Sequence, residues 1–434
     1  MKTPVRVSLC VLTAVLLPFA VGQYQSMKAH ETVLLSSAPQ RNIAGMIAGI
    51  AAPVLDPSKP TVVVVLGSDV SEVADVLVPY QVFAASGKFN VVTAAAKRLP
   101  VALTGGLDLL PHYTFQELDQ KLSAGPRVVI VPNIPFIQNQ GNAAVLSWLQ
   151  VQGKHPKTII MGICSGANTL ALAGLLNGKK ATAHWSDLGT LNKNFPEVQW
   201  VRDQRYVDEG LRVTSAGVLS GLDSSLHVLE RLSGEKVLLE TMQKINYAPS
   251  PYLQNPHMKP IRAQFSDGIF LLNASYLWDR PTYPLPLQNR MDEMDLAALV
   301  DTFPATFSAK IVTTAKQPIK THYGLDVLPR TDHADPTLPV LKLTGTGFPF
   351  DQALKQLAAV QNVPTAVFGA RRLEYRSGPE SYTGAGWGNP VVYRPLFLAV
   401  LGVLLVLLLE WGFVCLRKSK TAPMEIQKNT PGRS

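Results

Sequence analysis

The chain has 434 residues, 47% of them apolar, and a formal charge of +9 at neutral pH. That length and apolar content support packed cores and exclude a disordered or fibrous chain. The positive charge is not gathered into a Lys/Arg block with interleaved aromatics, and no helix-turn-helix or zinc-finger spacing occurs, so a nucleic-acid surface of those kinds is excluded.

Residues 1–22 place Lys2 and Arg6 ahead of an apolar run from Val7 to Val21, closing on Ala20-Val21-Gly22. This is the pattern of a secretory signal peptide, with an uncleaved membrane anchor as the alternative; Pro18 and the short apolar length favour cleavage. Residues 23–59, with Pro39, Pro53 and Pro57, form a helix-bearing lead-in segment. From Thr61 the pattern becomes α/β. TVVVVLG (61–67) is a continuous apolar run of the kind buried on both faces of a parallel sheet. SEVADVLVPYQVFAASG (71–87) carries helical spacing and stops at a glycine. Strands at 89–96, 127–133, 157–163 and 211–217 follow, with helices around 143–151, after Cys164, and at 222–232. Such alternation predicts a doubly wound three-layer sandwich over residues 60–236, with its reactive site beyond the carboxyl ends of the strands.

An internal echo follows. FNVVTAAAKRLPVALTGGLDLLP (89–111) returns as AKIVTTAKQPIKTHYGLDVLP (309–329), and SEVADVLVPYQVF (71–83) loosely as DEMDLAALVDTF (292–303). A helix at 350–362 then leads into PTAVFGARRLEY (364–375), which aligns Arg371 with Cys164. Residues 260–376 are therefore expected to be a degenerate second α/β unit without a nucleophile. Residues 377–394 read as a linker, 395–416 as an apolar helix of bilayer-spanning length, and 417–434 as a basic tail. Arg417, Lys418 and Lys420 put that tail in the cytoplasm by the positive-inside rule, leaving the body outside. Glu410 lies close enough to the inner edge to snorkel.

Of three cysteines, Cys10 falls in the leader and Cys415 at the end of the membrane helix, so Cys164 stands alone in the exported body. No disulfide framework is available. Cys164 is either a small buried hydrophobe or a functional thiol. Its setting is TIIMGICSGANTLALAGLL (158–176): a buried strand, a turn with Gly162 and Gly166, and an apolar helix. A nucleophile on such a turn points outward, and the helix start lowers a thiol pKa and offers N–H groups to an oxyanion. Asp332, His333 and Asp335 include a single histidine and read as a solvated loop, so no metal is expected.

GICSGANTLALAGLLNGKKATAHW (162–185), together with SEVADVLVPYQVF (71–83) and RYVDEGLRVTSAGVLSGLDSSLHVLERL (205–232), resembles the ThiJ/PfpI family of the class I glutamine amidotransferase-like superfamily. The likeness is strongest to the amidotransferase-like domains of AraC-type regulators. It implies a flavodoxin-like sandwich in which Cys164 pairs with an acid four positions before a proline, here Asp75 before Pro79. Glu72, one turn earlier, is the less favoured substitute. His184 matches a histidine near the cysteine in relatives; it would shuttle protons or pack beside Trp185. Ser165, Gly166 and Asn133 fall at the oxyanion or pocket wall. Asn133-Ile134 replaces the Gly-Gly pair of active relatives, Ser165 replaces the histidine that follows the nucleophile in the proteases, and no His-x-Glu follows.

Two functions are left open. One is a membrane-anchored, cysteine-dependent hydrolase, lyase or hydratase acting on a small electrophile. The other is a non-catalytic small-molecule or redox sensor. The expected partners are a small-molecule ligand, the lipid bilayer and, as a candidate, a second copy of the chain. No nucleic acid and no cofactor are expected.

Overall fold

Five β-branched residues in a row, Thr61–Val65 (β1), cannot face solvent, and none does. The computed structural model describes residues 3–35, 43–343, 346–375, 382–386 and 390–420. The expectations for residues 1–2, for 377–381 and 387–389 of the linker and for tail residues 421–434 lie outside them.

An apolar helix, Thr3–Ala29 (α1), leads through a π-helical turn, His30–Leu34, into the body. After β1 come the helix Val73–Ser86 (α2), the strand Asn90–Ala95 (β2), and the hairpin Val101–Leu103 (β3) and Leu107–Leu110 (β4). Next are Val128–Val131 (β5), the helix Ala143–Gln152 (α3), the strand Ile159–Gly162 (β6) and the short helix Gly166–Leu172 (α4). Tyr206–Asp208 (β7), Arg212–Ser215 (β8) and the helix Val218–Ser233 (α5) complete the first unit. Its sheet runs β7-β8-β6-β5-β1-β2, with Tyr113–Thr114 beyond β2. Every pairing is parallel except β7 with β8. This is the flavodoxin-like α/β fold expected. The antiparallel edge strand and the β3–β4 hairpin had no distinct signal in the sequence.

The rest of the chain contributes the helix Gly268–Tyr276 (α6), the strand Thr282–Pro286 (β9), the helix Glu293–Thr302 (α7) and the strand Lys310–Thr314 (β10), which pairs parallel with β9. Asp326–Leu328 (β11), Pro349–Val360 (α8), Val363–Arg372 (α9) and the long helix Pro390–Lys420 (α10) follow. The segment expected to repeat the strand-to-elbow approach is instead α9. Asn362 accepts from the Thr365 N–H at 2.8 Å and a proline sits in the first turn, which starts a helix. Arg371 consequently pairs with Asp267, at 2.9 Å, and occupies no elbow.

The two halves join through one antiparallel strand pair. Leu110 faces Asp326, Leu109 faces Val327 and Asp108 faces Leu328. Because both strands come from the GLD-x-LP echo, the pairing is symmetric about Leu109 and Val327. Helix α7 lies against α2, where Gln81 donates to Asp292 at 2.7 Å and accepts from the Met294 N–H at 2.6 Å. The junction also buries a two-pronged ion pair: Arg330 Nε and Nη2 lie 2.8 and 2.9 Å from the Asp108 carboxylate. Burial pushes the Asp108 carboxyl up, and Arg330 opposes that.

Helices α1 and α10 are both long and apolar enough to cross a membrane, and they pack on each other. Their outer faces are bare, as Val15 and Leu408 at 63% and 61% exposure show.

Truncating Arg330 would leave a carboxylate stranded between the halves. Arg330→Ala is expected to destabilise the chain by about 3–5 kcal/mol, read from denaturant unfolding of the detergent-solubilised protein.

Candidate functional site

Strands β5 and β6 deliver the chain to the elbow in tight register, the Ile163 N–H donating to the Val131 carbonyl at 2.9 Å. At Gly166 the chain passes so close to β5 that an added Cβ would sit 2.0 Å from the Val131 oxygen. Only glycine fits there. Between these constraints Cys164 is held at φ +55°, a left-handed conformation costing about 1–3 kcal/mol in a non-glycine residue. Cys164 is buried, with 8% of its surface exposed, and stands in the wall of a cavity of about 700 Å³.

Of the residues singled out from sequence, Cys164, Ser165, His184 and Asn133 line this cavity, as does Glu72. Gly166 and Asp75 do not. The Gly166 N–H is spent on the Ile163 carbonyl at 2.7 Å, so its contribution is clearance and not a donor. Asp75 lies behind the wall and is fully buried. One of its oxygens accepts from the Asn133 N–H at 3.0 Å, which takes up that backbone donor as well. Its other oxygen, Oδ1, has no hydrogen-bond partner. The expected carboxyl-to-sulfur hydrogen bond is thus not formed; the sulfur has Ser165 Oγ at 4.0 Å, and that hydroxyl donates to Asp187. Glu72 caps α2 by accepting from the Asp75 N–H at 2.6 Å. Residues 72 and 75 therefore act as a linked pair, where the sequence had suggested alternatives.

His184 makes no bond to the thiol. Its Nδ1 meets Ser186 Oγ at 2.7 Å and its Nε2 the Arg372 carbonyl at 3.4 Å, while its ring lies 5.3 Å from that of Trp185. Burial holds its pKa below the usual value.

The cation of the site comes from far along the chain. Arg372, at the end of α9, lies 2.7 Å from Asp301 and 3.5 Å from Glu72. Asp301, on α7, and Arg372 both belong to the second half. No sequence signal marked either; the echo pointed to Arg371, one residue away. The lead-in segment adds His30 and Leu34 to the cavity wall.

Electrostatics run against the expectation of an acidified thiol. Burial pushes the Cys164 thiol well up, and Asp75, Asp187 and Glu72 push it further; Arg372 alone among the named groups opposes them. Helix α4 has seven residues, too short to reverse this balance. Burial also raises Asp75 to about 7. Burial and the neighbouring Asp301 carry Glu72 well above the carboxylate range. The thiol is therefore held neutral through the ordinary pH range, beside Glu72 and Asp75 carboxyls whose proton affinity burial has raised.

The DJ-1/PfpI family profile matches residues 60–231. The chain carries a DJ-1/PfpI family domain. Isonitrile hydratase of Pseudomonas putida is 28% identical over 187 residues, covering 41% of this chain and 74% of that enzyme. The HTH-type transcriptional regulator CdhR of Pseudomonas aeruginosa is 29% identical over 101 residues, 23% of this chain and 30% of the regulator. Among solved structures, a THiJ/PfpI family protein from Pseudomonas syringae is 25% identical, covering 47% of this chain and 85% of its own, with a TM-score of 0.39. DJ-1 of Schizosaccharomyces pombe is 19% identical over 43% of this chain and all of its own, with a TM-score of 0.38.

The charge balance makes the thiol's reactivity adjustable from both sides. Arg372→Gln removes the opposing cation and is expected to slow iodoacetamide alkylation of Cys164 at every pH below the thiol pKa. Asp187→Asn is expected to speed it. The alkylation rate of wild type should climb steeply only above the ordinary thiol range, as mass spectrometry of the Cys164 peptide across a pH series would show.

Proposed function

We propose that this chain is a membrane-tethered, extracytoplasmic enzyme of the DJ-1/PfpI type in which Cys164 adds to a small electrophilic carbon. The observation that carries this reading is the strained cysteine opening on the cavity, backed by a buried carboxyl, Asp75, that titrates about 7 and keeps one oxygen unpartnered. An isonitrile carbon suits the arrangement, and a hydratase acting on isonitriles is among the relatives. Thiol addition converts R–N≡C and Cys–SH to the thioimidate R–N=CH–S–Cys. Water then adds at that carbon and the C–S bond breaks, giving the formamide R–NH–CHO and the thiol. The net change is addition of one water, and no oxidant or reductant is needed. Asp75 would relay the proton, Arg372 would offset the acids around the sulfur, and His184 would order the wall.

Tethering is supported by the two apolar helices and by Arg417, Lys418 and Lys420 directly after the second. We read residues 260–376 as a reduced copy of the first unit. The symmetric β4–β11 pairing supports this, and the covered α2 face argues against a homodimer through that surface.

A second reading, a ligand or redox sensor, draws support from the raised thiol pKa, which makes the resting sulfur a poor nucleophile. The two separate in one assay. Full-length protein is expected to hydrate alkyl isonitriles, and Cys164→Ser to abolish turnover. If wild type turns over no isonitrile, glyoxal or amide, yet one of them protects Cys164 from alkylation, the enzyme reading fails and the sensor stands.

A further inference from the structure

Helix α1 is built into the body in a way that a discarded leader would not require. Arg6 Nε lies 3.2 Å from Glu410 of α10, placing a charge pair at the same level of both helices. Thr13 Oγ1 donates to the Gly402 carbonyl at 3.3 Å, and a Cβ on Gly402 would sit 2.8 Å from the Thr13 backbone carbonyl oxygen. This is the close backbone approach that small residues permit between apolar helices. Further along, Tyr276 Oη of α6 donates to the Pro18 carbonyl at 3.0 Å, and Gly22 makes room for that ring. Beyond the helix, the His30 ring lies 4.6 Å from Phe307 and the Gly105 N–H donates to the Leu34 carbonyl at 3.0 Å. Ala29 and Val33 are buried in the body.

The same segment walls the cysteine cavity through His30 and Leu34. His30 stands nine residues past Val21, the last residue of the apolar run, or about 14 Å along a helix axis. A headgroup layer is about 5–8 Å thick. The cavity wall is therefore within about 10 Å of the headgroups. The surface around this point suits a membrane boundary. Tyr24 is exposed with Lys28 over its ring, Trp278 carries Arg394 on its face at 4.8 Å, and Leu271 of α6 is bare. Leu34, Ile134, Ile137 and the exposed Phe136 give the cavity an apolar side as well as its polar one.

We infer that residues 3–34 are retained as a second span paired with α10, and that they hold the Cys164 cavity against the bilayer surface to receive an amphiphile, an electrophilic head on an alkyl chain, from the interface. This inference rests on the membrane reading above and narrows its substrate to molecules that partition into lipid. It replaces the cleaved signal peptide read from sequence with a two-span anchor. Both termini would lie in the cytoplasm, with Arg6 close to the inner face.

The test uses full-length chain with a C-terminal epitope, extracted from membranes and placed in lipid nanodiscs. Intact mass is expected to include residues before Gly22. An iodoacetamide bearing a hexadecyl chain, confined to the bilayer, is expected to alkylate Cys164 faster than iodoacetamide itself by about tenfold or more, scored on the Cys164 peptide. A mass lacking the first 22 residues, or a bilayer-confined reagent that does not reach Cys164, overturns the inference while the tether stands. Recovery of the epitope in the soluble fraction after alkaline carbonate washing overturns the tether itself, and this inference with it.

Discussion

The molecule turns on how closely the chain after Cys164 passes the end of β5. The Val131 carbonyl accepts from Ile163 and leaves no room for a side chain at Gly166, so the intervening cysteine is forced into a left-handed conformation. That one close approach presents sulfur at the carboxyl edge of the sheet, where strand ends open onto a cavity. The other residues of the site are arranged around a position fixed by backbone clearance. A thiol placed by hydrogen bonds would move when its partners changed protonation; this one stays where the backbone puts it.

The second half of the chain serves this site as well as covering the first. Helix α7 packs on α2 and brings Asp301; α9 ends beside the start of α5 and brings Arg372. The Leu219 N–H donates to the Leu373 carbonyl at 3.1 Å, and the Arg205 side chain donates to the Glu374 carbonyl at 2.8 Å and to Asp223 of α5 at 2.6 Å, so the end of α9 is fastened to α5 by one backbone bond and one bridging arginine. The strand junction at Leu109 and Val327, with its buried ion pair, sets the relative placement of the halves. Charge in the cavity is accordingly shared between segments some 300 residues apart in sequence. Loosening the junction would alter the thiol's surroundings without touching the elbow.

What was legible in the sequence was whatever depends on short-range pattern. β-Branched runs such as TVVVV marked buried strands, and glycines flanking Cys164 marked the elbow, because burial and clearance each leave a local signature. The helix at 73–86 fell within a residue or two of expectation, and the elbow helix begins just after Cys164 as expected. The sign of the thiol shift went against expectation, since it depends first on burial and then on Asp187 and the acids at the start of α2, whose closeness to the sulfur no local pattern records. Arg372 was missed for the same reason, and α9 was misread because Asn362 and Pro364 start a helix where the echo suggested a strand. The leader was read from composition, Pro18 and apolar length, which favoured cleavage; the contacts at Gly402 and Tyr276 that support the proposed retention leave no local signature.

A raised thiol pKa next to a carboxyl near 7 looks like a poor nucleophile, yet the pairing fits the proposed addition. Attack on an isonitrile carbon must place a proton on that same carbon while sulfur loses its own. A thiolate formed in advance would leave the carboxyl with a proton to give and nothing to take. Asp75 stands behind the cavity wall without a hydrogen bond to the sulfur, so a proton relay through its protonated form would need a bridging water or a movement of the wall on substrate binding; such a relay would leave the net charge of the cavity unchanged. In a buried site already holding Glu72, Asp187 and Asp301 against Arg372, a path without charge separation avoids the largest electrostatic cost. The acids that depress resting reactivity would thus also favour a protonated relay, for which Asp75 keeps one oxygen without a partner.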